Sequence, residues 1–235
     1  MALRGQPSQP LLGIGIYAPA EASRLIGVPV PRIRRWLGGY SYRDPLGKLR
    51  DMPPLWQSQI PANVFGLHLG FRDLIEVRVV DSLRKAGLGL STIRKAIVAA
   101  RDLTNDLHPF STSQFQTDGR SVFLEIRSDA EEPELVDVLT RQRGFHRFIA
   151  PSFKNLEYDG AGAAVRWWPL TQKKRIVVDP TRSFGKPIDF DSGVPTSALA
   201  DAVSAEGSET AAAAVFGVSV RSVRNALHFE QKLAA

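Results

Sequence analysis

The sequence predicts a mainly α-helical protein with small β elements: an N-terminal winged helix-turn-helix, a short mixed α/β middle segment and a C-terminal helix-turn-helix. Three observations carry that expectation. Two short windows place apolar residues at helical spacing on either side of a proline-bound turn: Ala18, Ala22, Leu25 and Ile26, then Ile33, Trp36 and Leu37. An alternating stretch with turn chemistry follows them directly. The pattern of short helix, glycine turn and longer helix then returns after Thr196.

In the first helix, Pro19 suits the opening turn, where its missing N–H has no partner to lose, and Gly27 suits the exit. Val28-Pro29-Val30-Pro31 forces an extended turn. Pro31 to Leu37 is then the second helix, with Ile33, Trp36 and Leu37 inward and Arg32, Arg34 and Arg35 outward. Gly38-Gly39 ends it. Tyr40 to Arg43 alternates as a strand and Asp44-Pro45-Leu46-Gly47 is a turn. Lys48-Leu49-Arg50 with Pro54-Leu55-Trp56 returns as the partner strand, completing a β-wing.

Phe71 to Ala86 reads as a strong amphipathic helix, with Leu74, Val77, Val80 and Leu83 inward and Gly87 at its end. Ser91 is expected to cap a further helix from Thr92 to Leu103. Beyond His108-Pro109 the character changes. Residues 115–126 carry a hairpin signal with Asp118-Gly119 at the turn. Pro133 to Gln142 reads as one helix. Asn155 to Tyr158, Ala164 to Trp168 and Arg175 to Val178 read as short strands, and Asp189 and Asp191 fall in a glycine-bounded turn. At the end, Thr196 is expected to cap a helix through Ser204 and Ser208 a second through Phe216. Gly217-Val218-Ser219 turns into a third, Val220 to Lys232, with Val220, Val223 and Leu227 inward. The chain is thus divided into 1–110, 111–170 and 171–235.

An apolar fraction of 43% and a charged fraction of 23% are those of an ordinary globular protein and exclude wholesale disorder. No apolar run is long enough to cross a bilayer and residues 1–7 lack a signal core, so a cytoplasmic location is expected. The lack of cysteine excludes disulfides, thiol nucleophiles and cysteine zinc sites. His68, His108, His146 and His228 have no paired ligand spacing, and Gly13-Ile14-Gly15 and Gly160-Ala161-Gly162 lack the third glycine of a dinucleotide fingerprint. No catalytic residue, metal site or cofactor is expected.

The net charge of +6 is unevenly spread: residues 1–60 hold eight Lys/Arg against three Asp/Glu, while residues 111–170 hold seven against nine. A localised basic region is the electrostatic footprint of a phosphate-binding surface. The candidate DNA-binding set is therefore Arg32, Arg34 and Arg35 on the second helix with Tyr40, Tyr42, Arg43, Lys48 and Arg50 on the wing. In the last helix Arg221, Arg224, Asn225 and His228 form a polar stripe that suits a second DNA surface, a protein contact or a solvated face. Lys173-Lys174-Arg175 offers cations to an acidic metal site, or is simply solvated.

Residues 17–28, followed by Ile33-Arg34-Arg35-Trp36 and Tyr40, resemble the DNA-binding domain of MerR-type regulators. Gly70 to Glu76 with Gly87 to Arg94 resembles the helix pair that follows the wing in that family. The resemblance covers about residues 14–105. No long coiled coil and no cysteine sensor follow. Asp179 to Ile188, Gly193 to Thr196, Ala214 to Ser219 and Val223 to Glu230 are similar to a small domain of formerly unknown function found in bacterial antitoxins. Chains joining it to a MerR-like half resemble VapB-type antitoxins. That resemblance implies double-stranded DNA and a cognate PIN-like ribonuclease toxin as partners and autorepression of the operon. A homodimer is expected because a single recognition helix gives little specificity and paired half-sites are the usual remedy. Two alternatives stand beside the antitoxin reading. A MerR-like ligand-responsive regulator would place a pocket at Phe123, Trp167 and Trp168; a protein-interaction scaffold would leave the basic face idle.

Overall fold

A computed structural model describes residues 12–62, 66–170 and 174–234, with the side chains of Gln142, Arg143 and His146 left aside. Its architecture is mainly helical with two small antiparallel sheets. The first helix, α1 (Pro19–Ile26), starts with the Glu21 carboxylate accepting the Ala18 N–H at 2.9 Å and stops at Gly27, whose φ of 71° is left-handed. Helix α2 (Val30–Gly38) buries Ile33, Trp36 and Leu37, as their spacing requires. Strands β1 (Tyr40–Arg43) and β2 (Leu49–Met52) form the wing in the register Tyr40↔Met52 to Arg43↔Leu49. The return strand is shorter than the sequence predicts. Leu55 and Trp56 leave the ladder for the core, and the Leu55 N–H instead donates to the Trp36 carbonyl at 2.8 Å.

Helix α3 (Phe71–Lys85) is the centre of the molecule and is buried on nearly every side, including Asp73, Glu76 and Asp81. The burial exceeds what an amphipathic pattern predicts, because later elements cover the face that the sequence leaves to solvent. Tyr17 and Leu69 exchange a pair of 2.9 Å backbone bonds, tying the start of the chain to the entry of α3. Helix α4 (Leu90–Thr104) is not capped by Ser91. Gly89 is its N-cap, and a distant carboxylate replaces the local cap: Glu132 accepts the Gly89 N–H at 3.1 Å and the Thr92 hydroxyl at 2.7 Å.

The expected hairpin over residues 115–126 is instead helix α5 (Ser113–Glu125). Thr112 caps it by accepting the Phe115 N–H at 3.1 Å. The Asp-Gly turn signal loses to packing. Phe115, Gly119, Val122 and Phe123 lie on one buried face, and a Cβ on Gly119 would come within 2.9 Å of the Phe115 ring. Glycine here makes room for an aromatic ring rather than for a turn. The helix expected over 133–142 ends earlier, as α6 (Pro133–Thr140), and α7 (Gln142–Phe148) and the short α8 (Ala150–Phe153) follow.

A four-stranded antiparallel meander comes next: β3 (Leu156–Tyr158), β4 (Ala164–Trp167), β5 (Ile176–Val178) and β6 (Pro187–Asp189). The fourth strand stands where a plain turn was expected. Asp189 closes β6 and is buried, with one carboxylate oxygen accepting the N–H and hydroxyl of Ser192. The chain ends in α9 (Thr196–Glu206), α10 (Glu209–Phe216) and α11 (Val220–Ala234). Ser208 caps α10, and Gly217 at φ 62° makes the turn into α11. Thr196 is no cap: it is buried in the first turn of α9, its hydroxyl shared between the Pro187 carbonyl and Glu230.

One apolar core runs from Tyr17 of the N-terminal arm through α1 to α8 and the β3–β5 face to Phe229 of α11. A smaller cluster of Leu199, Ala212, Ala213, Val223 and Ala226 holds the last three helices together.

Candidate nucleic-acid interface

Helix α2 exposes one face, and Arg32, Arg34 and Arg35 all lie on it. They are not equivalent. The Arg32 guanidinium pairs with Asp81 of α3 at 3.2 Å while remaining 53% exposed, so it is steered rather than buried. Arg35 stacks over the Tyr40 ring, 3.6 Å from its centroid, and Tyr40 lies 6.1 Å from Tyr42. Among the described residues Arg34 pairs with no carboxylate. A guanidinium without a partner in the protein is the one most available to a phosphate or a base edge.

The wing is built to hold a shape. The Asp44 carboxylate accepts the N–H groups of Leu46 at 3.0 Å and Lys48 at 2.9 Å, and pairs with the Arg50 Nε at 2.9 Å. The Arg50 bond, with those backbone donors, holds the Asp44 carboxyl below the usual carboxylate range. Arg43 donates to the Gly47 carbonyl at 2.9 Å. Of the wing cations, Lys48 is exposed and makes no side-chain bond among the described residues. The candidate set therefore divides. Among the described residues Arg34 and Lys48 are free, Arg32 and Arg35 are pre-oriented, and Arg43 and Arg50 rigidify the turn.

The stem of the wing is fixed to the scaffold by contacts that the sequence did not signal. Arg94 of α4 donates to the carbonyls of Pro53 at 2.8 Å and Pro54 at 2.7 Å. Gly39, at φ 73°, lets the backbone turn from α2 into β1, and a Cβ there would stand 2.5 Å from the Met52 carbonyl oxygen. Trp56, just past the stem, donates its indole N–H to Asp73 at 2.8 Å. Asp73 also accepts from Ser58 (2.7 Å), Gln59 N–H (3.0 Å), Gly70 N–H (2.8 Å) and His108 Nε2 (3.1 Å). Burial pushes its carboxyl up, but His108 and these donors outweigh it and hold the group below the usual range. Glu76, one helical turn on, goes the other way: burial, against the pull of Arg72, raises its carboxyl well above the usual range.

Lys85 also belongs to this surface. It shares Asp81 with Arg32, at 2.6 Å, and is 69% exposed. The i, i+4 spacing of Asp81 and Lys85 was the available signal for it.

The second candidate set behaves differently. Arg224 is neutralised by Glu209 at 2.8 Å. Arg221 and His228 are exposed beside it and Asn225 is half-buried. Lys174 and Arg175 are engaged with Glu157 at 2.7 Å and Asp191 at 2.6 Å, while Lys173 lies outside the described residues. The aromatic trio of the ligand-pocket alternative does not assemble. Phe123 packs towards Phe145, Trp167 lies under the Arg78 guanidinium at 4.3 Å, and Trp168 sits in a separate cluster with Val177 and Ile188. Among the described residues no three metal-ligating side chains converge, and no helix is long and apolar enough to cross a membrane.

Comparison with known proteins follows the same division. Residues 15–97, from the N-terminal arm into the first half of α4, match a family model described as "Putative DNA-binding HTH domain". Over 224 residues the chain is 23% identical to "Putative antitoxin VapB45" of Mycobacterium tuberculosis (strain ATCC 25618 / H37Rv), covering 91% of this chain and 93% of that protein. The crystal structure of Rv2018 from Mycobacterium tuberculosis superposes with a TM-score of 0.68 at 21% identity, over 92% of this chain and 99% of that one. Over residues 15–97 the chain is thus similar to a helix-turn-helix family described as DNA-binding, and nearly its whole length carries the fold of the Rv2018 structure.

Proposed function

We propose that this chain is the antitoxin of a type II toxin–antitoxin pair, with a PIN-like ribonuclease as its cognate toxin, and that it represses its own operon by binding operator DNA as a homodimer. It acts in the cytoplasm and carries out no catalysis. The observation that carries the reading is the similarity over 91% of the chain to a protein named "Putative antitoxin VapB45", in a chain whose matched helix-turn-helix presents Arg34 and Lys48 with no carboxylate partner among the described residues. On this reading α2 enters the major groove of double-stranded DNA, in the manner of a MerR-like winged helix, and the wing lies along the neighbouring backbone. Arg32, Arg34, Arg35, Tyr40, Tyr42, Arg43, Lys48 and Arg50 make the DNA contacts. Two half-sites about one helical turn apart, ~34 Å, match the two-fold of the dimer.

We assign the Arg221, Arg224, Asn225 and His228 stripe to the toxin rather than to DNA. Arg224 is already neutralised by Glu209, and the neighbouring end of α10 exposes Val215 (62%) and Phe216 (37%). An apolar edge beside a half-neutralised stripe suits a protein surface better than a row of phosphates. Co-expression with the neighbouring open reading frame tests the reading. Growth rescue and a copurifying complex are expected; no rescue and no complex would overturn it.

A further inference from the structure

Between α4 and the C-terminal end of α5 runs an open groove of about 470 Å³, lined by Ser91, Lys95, Val98, Ala99, Asp102 and Glu125. Its lining leaves Val98 54% exposed, and Leu124 of α5, one residue before the lining Glu125, is 49% exposed. Ser91, Lys95, Val98 and Asp102 follow one another at steps of four, three and four residues, so they form a single stripe along α4. Lys95 and Asp102 flank Val98 on this stripe. Two helical turns, ~10.5 Å, separate them, too far for the pair to close within one chain. Among the described residues Lys95 reaches only a backbone carbonyl, that of Asp129, and Asp102 meets no cation.

The midpoint of Lys95 and Asp102 falls between Val98 and Ala99. A stripe whose charge inverts about its own apolar midpoint is complementary to itself turned end for end. An antiparallel second copy of α4 brings Lys95 opposite Asp102 twice and closes the exposed Val98 side chains of the two copies on each other beside the axis, which is the geometry of an isologous two-fold contact. We propose that the chain dimerises through antiparallel α4 helices, with reciprocal Lys95–Asp102 pairs and Val98 beside the two-fold axis. This deepens the homodimer of the reading above and rests on it. The same helix holds the wing stem through Arg94, so the dimer axis fixes both wings at once. Asp102 and Glu125 offset Arg94 and Lys95 in the lining, so the groove carries no net positive charge to attract nucleic acid.

Light scattering coupled to gel filtration on the full chain tests the proposal. The expected mass is that of two chains for the wild type and of one chain, 25.8 kDa, for Val98→Asp. Lys95→Glu and Asp102→Lys each lose the dimer, and the double swap K95E/D102K regains it, because both reciprocal pairs are restored with inverted sign. Circular dichroism of each variant should match the wild type, since the altered groups are exposed. A monomeric wild type, a dimeric Val98→Asp, or a folded double swap that stays monomeric overturns the proposal. Should Val98→Asp fail to fold, the charge swap decides. Toxin capture by the same samples separates the two readings. A dimer that captures no toxin sinks the antitoxin and leaves the α4 contact standing, while a monomer that captures it does the reverse.

Discussion

Replacing Asp73 with alanine removes the one acceptor shared by the wing stem, the entry of α3 and His108. The site is fully buried, so water does not substitute freely for the carboxylate. Two of the donors have alternatives. The Ser58 hydroxyl already lies 3.1 Å from the His68 carbonyl, and His108 can place its proton on the other ring nitrogen. The Trp56 indole and the Gln59 and Gly70 N–H groups have none, and each orphaned donor costs about 1–3 kcal/mol. With some relaxation the loss is about 4 kcal/mol, a fall in Tm of ~10 °C for a chain of this size. Urea unfolding followed by tryptophan fluorescence and circular dichroism reads it directly. The pH dependence has a definite sign. The folded carboxyl titrates below its ordinary value, so its stabilisation is present above the unfolded pKa of about 3.9 and is lost as pH falls through the folded value. The gap between wild type and Asp73→Ala should therefore narrow towards acid. A loss under ~1 kcal/mol at neutral pH would refute the hub.

Glu76 titrates the other way: with a raised folded value, its stabilisation is complete below the unfolded pKa of about 4.3 and is lost as pH rises through the folded value. Glu76→Gln keeps the bond from the Ser111 N–H, 3.0 Å in the wild type, and removes the ionisation, so it should raise Tm at pH 8 and change it little near pH 4, by thermal scans. Glu132→Ala should cost about 1 kcal/mol by uncapping α4 and Ser91→Ala less than ~0.5 kcal/mol; the reverse order in urea unfolding would return the cap to Ser91. Gly39→Ala meets both a left-handed φ of 73° and the Met52 carbonyl, so about 1–3 kcal/mol of destabilisation and a weakened operator complex are expected from unfolding and binding titrations.

The N-terminal half was legible because its signals are local. Pro29 and Pro31 fix the turn between helices, Gly27 supplies the left-handed exit, and Ile33, Trp36 and Leu37 mark a buried face that no distant element alters. Local chemistry misled where a distant partner decides. Asp118-Gly119 would make a good turn if the surface around it were wet, but Phe115 packs over Gly119 and the core takes the segment as helix. Ser91 has the chemistry of a cap and is displaced by Glu132, 43 residues from the Gly89 N–H that it accepts. The same limit holds for the interface. That Arg32, Arg34 and Arg35 are exposed follows from helical spacing. That Asp81 engages the first, Tyr40 the third and no described carboxylate the second depends on how α3 and β1 pack against α2.

DNA binding through that face is tested most directly by titrating the full chain against DNA from its own upstream region over a range of salt, as wild type and as the Arg32→Ala, Arg34→Ala, Arg35→Ala triple variant. Specific binding should be abolished in the triple variant, and the residual slope of log affinity against log salt should be shallower by about 2 to 3. The variant should keep its fold, because these side chains are exposed and the single Arg32–Asp81 pair is worth at most ~1 kcal/mol. A folded triple variant with unchanged affinity and unchanged salt slope would contradict the assignment of α2 as the helix that reads DNA.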